Sequence, residues 1–238
     1  MPALAPKQSL VRNHLLATLP REDYERLSPH FKPLTLSAGD IIHDFGEPLR
    51  QAWFINHGVV SLLSTTGGQP GVVVGLVGSE ALVGLPAILA GKRAPYRATV
   101  QLPGAALQIG VEVLDAEFNQ GGRLQAFLLR YNQVLIIQLS QAGICYQRHS
   151  LEERLSRWLL SICDRVAGNS FQITHECIAQ MLGTARTKVT AAAVGLQDQR
   201  LISYSRGHII ILSRRGLEAK ACPCYGITKE ALTQFLSR

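Results

Sequence analysis

The residues best placed to do chemistry lie between positions 173 and 212. Thr174 can cap a short helix whose Ile178, Ala179, Met181 and Leu182 face inward. Gly183 follows, where a tight turn between helices calls for a residue free to take positive φ. A second helix is expected over about residues 185–199, with Val189, Ala193 and Leu196 as its buried stripe. Its opposite face carries Arg186, Thr187, Lys188, Thr190 and Ala191. Residues 201–204 and 208–212 then flank Ser205, Arg206 and Gly207 and read as a β-hairpin with a basic tip. Helix, glycine turn, helix and hairpin is the layout of a winged helix-turn-helix, whose second helix enters the major groove of DNA. An arginine at the start of that helix can donate two hydrogen bonds to guanine O6 and N7. Arg186 is thus the candidate base reader. Lys188 and Arg206 are candidate phosphate contacts, which fix position without reading sequence. Thr187 and Thr190 complete the candidate set.

Charge points the same way. The chain has 238 residues and a net charge of +7. Residues 1–120 carry 9 Lys/Arg and 10 Asp/Glu, whereas residues 121–238 carry 15 and 7. The whole excess lies in the second half. A basic segment beside a neutral one implies a phosphate-rich partner for the basic one, or else a solvated basic surface.

Other chemistries find little support. No HExxH and no GxSxG occurs. Residues 84–93 imitate the end of a P-loop, but Pro86 stands where the first glycine belongs and Arg93 where Ser or Thr belongs. His43, His57 and His149 show no spacing that implies haem, so surface or capping roles are expected. Cys222-Pro223-Cys224 is a candidate soft-metal or redox pair. Two ligands alone do not make a site, so packing near the terminus is expected and no metal is assigned. No cofactor is identified. Five cysteines, an odd number, with no secretory signal at the N-terminus, point to reduced thiols in the cytoplasm. Residues 71–91 carry one charge, Glu80, but are broken by glycines and Pro86, which argues against a membrane span.

The elements that must position the basic face are legible in outline. Residues 8–27 read as one or two short helices broken at Pro20. From about 33 to 110, short apolar or β-branched runs (34–36, 41–43, 53–55, 59–63, 72–77, 98–101 and 106–109) alternate with glycines, including Gly58, Gly67-Gly68 and Gly104. This predicts an antiparallel barrel or roll. After Gly121-Gly122, Leu124, Leu128, Tyr131, Leu135, Gln138, Ala142, Cys145 and His149 recur at spacings of four and three along one long helix. Such a seam mates with a second copy or packs on its own domain, and the two are not exclusive. Ser150-Leu151-Glu152-Glu153 is a capping box that starts a new helix through about Val166, which makes His149-Ser150 the expected hinge.

At this point the chain resembles the cyclic-AMP-receptor/FNR family of bacterial regulators. "ITHECIAQMLGTARTKVTAAAVGLQDQRLISYSRGHIIIL" is similar to its DNA-binding motif, and "GDIIHDFGEPLRQAWFINHGVVSLL" to the glycine framework of its β-roll sensor domain. The resemblance spans roughly residues 8 to 220. The family's base-reading helix begins Ser-Arg-Glu-Thr-Val-Ser-Arg; here the stretch is Ala185-Arg186-Thr187-Lys188-Val189-Thr190-Ala191. The first arginine is retained, the acidic reader is Thr187, and the later arginine is Ala191, so the family's usual half-site does not carry over. Thr184 is the expected cap in place of the missing serine. In the sensor, the resemblance implies a Gly-Glu pair for the ribose and an arginine for a cyclic phosphate. The matching pair is Gly84-Leu85, and the arginine is Arg97, with Arg93 the other register. Leu85 cannot hydrogen-bond a ribose, so a pocket here is apolar, vestigial or tuned to another ligand. FNR itself holds an iron–sulfur cluster on N-terminal cysteines, and here the first cysteine is Cys145.

The expected architecture is therefore α+β. A β-roll sensor with N-terminal helices occupies residues 1–120 and a dimerisation helix 121–148. A winged helix-turn-helix with a C-terminal extension occupies 149–238. The expected function is a homodimeric, non-enzymatic transcription regulator bound to double-stranded DNA at an inverted repeat, with RNA polymerase a further candidate partner. The rival reading is a ligand-binding regulatory module that does not touch DNA. It leaves the basic second half and the helix-turn-helix unexplained.

Overall fold

A computed structural model of the chain describes residues 7–65, 71–89 and 91–237. The chain falls into two compact units, Met1–Leu62 with Val77–Val134, and Leu63–Leu76 with Leu135–Arg238. This partition differs from the expected three-part division. It cuts the long helix near its middle and groups residues 63–76 with the second half. The Gly67-Gly68 turn lies outside the described residues.

The first unit opens with α1 (His14–Thr18) and α2 (Arg21–Leu27), separated at Pro20, the N-cap of α2. The strands follow as β1 (Lys32–Leu36), β2 (Ile41–His43), β3 (Gln51–Ser64), β4 (Val72–Val77) and β5 (Leu82–Val83), of which the end of β3 and β4 up to Leu76 are grouped with the second unit. A short α3 (Leu85–Ile88), β6 (Arg97–Gly110) and α4 (Val111–Asn119) complete it. The sheet runs β1-β6-β3-β4, with β2 also on β6 and β5 on β3, and the β1–β6, β2–β6 and β3–β5 pairs are antiparallel. Asn13 ties α1 to this sheet. Its fully buried amide donates to the Ile55 and Ala81 carbonyls at 2.9 and 2.6 Å, while its oxygen accepts from Leu16 N–H at 3.2 Å. An apolar residue there would strand those buried groups, at about 1–3 kcal/mol each.

Two expected strand breaks are absent. Residues 53–55 and 59–63 belong to one strand, β3, and 98–101 and 106–109 to another, β6. Gly58 and Gly104 permit contact between the two strands instead of ending them. A Cβ on Gly58, whose φ is +93°, would lie 2.8 Å from the Leu102 carbonyl oxygen, and a Cβ on Gly104 would run into the His57 carbonyl. Glycine inside a strand marks such a close backbone approach.

The long helix α5 spans Gly122–Arg148. Its expected seam is buried within the chain itself: Leu124, Leu128, Tyr131, Leu135, Gln138, Ala142 and Cys145 are each no more than 8% exposed. The outward apolar positions are Leu129, Ile136, Leu139 and Ile144. The face with spacings of four and three thus packs within the chain, one of the two roles the spacing allowed, with Leu128 and Leu135 in the chain's own core.

In the second unit, α6 (Leu151–Cys163) opens on the predicted capping box, with Glu153 Oε2 accepting from Ser150 N–H at 2.8 Å. Then come β7 (Ser170–Gln172), α7 (His175–Met181), α8 (Arg186–Asp198), β8 (Ile202–Ser205), β9 (His208–Ile211), α9 (Arg214–Lys220) and α10 (Cys224–Leu236). The small sheet is ordered β7-β9-β8. Helix α6 is the hub, packed against α8, α9 and α10 through its buried Leu155, Trp158, Leu159 and Ile162. Arg214 at the start of α9 pairs with Asp164 and donates to the Tyr225 hydroxyl of α10 at 2.6 Å, and that hydroxyl donates to Asp164 Oδ2 at 3.0 Å. No described helix is long and apolar enough to cross a membrane.

Candidate nucleic-acid interface

Helix α7 begins at Thr174, whose hydroxyl accepts from Cys177 N–H at 3.2 Å. The chain reverses at Gly183, which has a φ of +58°. A Cβ there would clash with the Val72 side chain, so both space and φ favour glycine. Val189, Ala193 and Leu196 bury one face of α8. Burying these three turns Arg186, Thr187, Lys188 and Thr190 outward together, and all four are exposed. Ala185 is the N-cap of α8, and no side chain caps it, so the expected cap by Thr184 is not made. Among the described residues, no N-cap side chain accepts from the first backbone N–H groups of α8.

The predicted residues divide by what already occupies them. Arg186, Lys188 and Arg206 make no side-chain hydrogen bond or ion pair among the described residues. Thr190 is committed: its hydroxyl donates to the Arg186 carbonyl at 3.1 Å and lies 2.9 Å from His175 Nδ1. His175 in turn stacks on Tyr204 of β8, with ring centroids 3.9 Å apart and planes 13° apart. Burial, then the Arg186 charge, lowers the His175 pKa and so favours its neutral ring. The sequence reading missed this His175–Thr190–Tyr204 bridge, which links α7, α8 and the hairpin. Nothing in local spacing signals it, since its members lie 14 and 15 residues apart.

The hairpin tip is a two-residue turn. Ser205 pairs with His208, and Arg206 and Gly207 both take positive φ, +50° and +81°. Two successive positive values define the turn type that matches the twist of a tight hairpin. The turn holds the Arg206 side chain exposed at the tip.

In the sensor segment, Gly84 takes a φ of +100° at the start of α3, and a Cβ there would lie 2.9 Å from the Gln51 carbonyl oxygen. Leu85 is fully buried and belongs to the core. Arg97 forms a two-pronged pair with Asp44, Nε to Oδ1 at 2.9 Å and Nη2 to Oδ2 at 2.6 Å. The hydrogen bonds from Arg97, then from Phe45 N–H, hold the Asp44 carboxyl below its usual range. Arg93 donates to the Gly46 carbonyl at 2.7 Å.

A sheet domain, a long helix and a winged helix-turn-helix that presents unpaired cations define a DNA-binding transcription regulator with a sensor domain. Comparison with known proteins agrees. Residues 33–120 match the cyclic nucleotide-binding domain and residues 153–220 the Crp-like helix-turn-helix domain. The chain belongs to the Crp/FNR family of regulators. It is 22% identical to the global nitrogen regulator of Nostoc sp. over 176 residues, covering 70% of this chain and 78% of that protein. The corresponding regulator of Synechocystis sp. is 21% identical, covering 86% and 94%. Among solved structures, FixK2 from Bradyrhizobium japonicum superposes with a TM-score of 0.70 at 14% identity, covering 81% of this chain and 98% of that one. A transcriptional regulator of the CRP family from Thermus thermophilus gives 0.64 at 20% identity, covering 80% and 96%.

Proposed function

We propose that the protein works in the cytoplasm as a homodimer that reads an inverted-repeat DNA site, under the control of an effector or partner acting at the β-roll. The observation that carries this reading is the face of α8. Arg186, Thr187 and Lys188 stand exposed at its start, and the two cations are unengaged within the chain. In this reading Arg186 contacts a guanine edge, and Thr187 lies beside it at the base edges. Lys188 and Arg206 hold phosphates, while Thr190 positions α8 through His175. Pairing uses Leu129, Ile136 and Leu139 of α5, so that each dimer presents two copies of α8 to two half-sites. RNA polymerase is the further partner of the DNA-bound form. The role is regulatory rather than enzymatic.

The test is binding to the protein's own operator, recovered from randomised duplex DNA, as a function of salt. Each neutralised phosphate contributes a log–log slope of about −0.9. Lys188→Ala and Arg206→Gln are each expected to reduce the slope by about one contact while leaving the recovered motif unchanged. A salt-independent affinity, or no enrichment of any sequence, overturns the reading.

Cyclic AMP is expected to bind weakly or not at all. Arg97 is already engaged by Asp44, and Leu85 offers no acceptor for a ribose hydroxyl. A buried hydroxyl left unpaired costs about 1–3 kcal/mol. Micromolar or tighter binding in calorimetry would show that this segment is a working nucleotide pocket.

A further inference from the structure

The geometry points to a zinc-class metal site built from Cys145, His149, Cys222 and Cys224. The donor atoms of these four residues all lie within 4.8 Å of one another. Cys145 Sγ is 3.5 Å from Cys222 Sγ, and Cys224 Sγ is 3.7 Å from His149 Nδ1. Zinc–sulfur bonds of about 2.3 Å at tetrahedral angles put neighbouring donor atoms about 3.8 Å apart. The four atoms thus need only small movements to enclose one ion. Three thiolates and one imidazole is a common ligand set of closed structural zinc sites.

The fold explains how the set assembles. Cys145 lies in the last turn of α5 and His149 directly follows its end, where its N–H still donates to the Cys145 carbonyl at 3.2 Å, so the two share one face. Cys222 follows the end of α9, and Cys224 is the first residue of α10, with Pro223 between them. All three cysteines are no more than 2% exposed. Binding would exchange thiol protons for the metal.

Three other readings fit less well. Buried thiols can pack as small apolar groups, but packing alone gives no reason for an imidazole nitrogen aimed at the same point. A disulfide between Cys145 and Cys222 requires 2.03–2.05 Å between sulfurs and leaves Cys224 and His149 unexplained. An iron–sulfur cluster spreads its ligands over several irons, whereas these four donors converge on the volume of a single ion. The site would fasten the C-terminal extension to the junction where α5 gives way to α6. The Arg214–Asp164–Tyr225 contacts hold the same extension without it, so variants at the cysteines keep a second anchor.

The test is elemental analysis of the full chain, purified without a metal-affinity tag, with cobalt(II) exchanged into the site. About one zinc per chain is expected, with the ligand-field spectrum of tetrahedral, thiolate-bound cobalt. Cys222→Ser with Cys224→Ser should lower the metal content at least tenfold, whereas Cys163→Ser and Cys177→Ser should leave it unchanged. His149→Cys keeps four soft ligands, so it should retain zinc and intensify the cobalt–thiolate absorption, which tests the site without removing a ligand. Wild-type protein with neither zinc nor a tetrahedral cobalt spectrum overturns the site. So does a Cys145–Cys222 disulfide in freshly purified protein, acid-labile sulfide, or zinc retained by the double variant.

Discussion

Arg186→Ala is expected to change which DNA the protein selects. Arg186 is the first residue of α8 and makes no side-chain hydrogen bond or ion pair among the described residues. A bidentate contact to guanine is worth about 1–3 kcal/mol of discrimination, or roughly a fivefold to 150-fold loss of affinity for the preferred site. Preference should relax at one base pair in each half-site, placed symmetrically about the centre of the inverted repeat. Lys188→Ala is the internal control. It sits on the same exposed face, but should weaken all sequences alike. The measurement is a randomised-operator selection with wild type and both variants. Recovery of the wild-type motif at unchanged affinity by Arg186→Ala would move the base reader elsewhere on α8. Thr187 would then be the first residue to test, because Thr190 is tied to His175.

Ile136→Glu combined with Leu139→Glu is expected to give a monomer. These two side chains are 47% and 38% exposed on a helix whose Leu128, Tyr131 and Leu135 are buried. Losing the burial of such side chains at a dimer interface costs roughly 1.5–3 kcal/mol each. Two-fold symmetry counts each loss twice, and a carboxylate forced into an apolar interface adds to the cost. The dimer should weaken by at least about a thousandfold. Sedimentation equilibrium at micromolar concentration measures this directly, and the same variant should bind an isolated half-site with its basic face unaltered. A wild-type chain that sediments as a monomer would remove the dimer, and a variant that stays dimeric would move the interface off this face.

The helix-turn-helix was the most legible part of the sequence because its constraints are local. Gly183 reports a positive φ, Thr174 a cap, and Val189, Ala193 and Leu196 a buried stripe, and each signal is complete within one or two turns of chain. The Ser150–Glu153 capping box was legible for the same reason. What escaped was set by distant residues. Gly58 and Gly104 look like strand breaks, and only the pairing of β3 with β6 shows that they make room for each other's backbone. The seam of α5 has the right spacing, but period alone does not say which of two adjacent faces the rest of the chain covers. Cys145 and His149 were absorbed into that seam as late, weak positions. Read instead as a Cys-x-x-x-His pair on one helical face, they complement Cys222-Pro223-Cys224. The separation of 77 positions between Cys145 and Cys222 hid that relation. Arg97 was named as the candidate arginine, one residue before the expected run at 98–101, but its partner Asp44 lies 53 positions away.

The meeting of β3 and β6 at Gly58 and Gly104 also bears on how this sensor can vary. At most crowded core positions, an added methyl group can be accommodated by trimming a neighbouring side chain, so a harmful change has a suppressor elsewhere. Here the obstacle to a Cβ on either glycine is a main-chain carbonyl, of Leu102 in one case and His57 in the other. No second-site substitution can shorten a backbone. The two positions are therefore closed to compensation, and a lineage that lost either glycine would have to rebuild the crossing of the two strands.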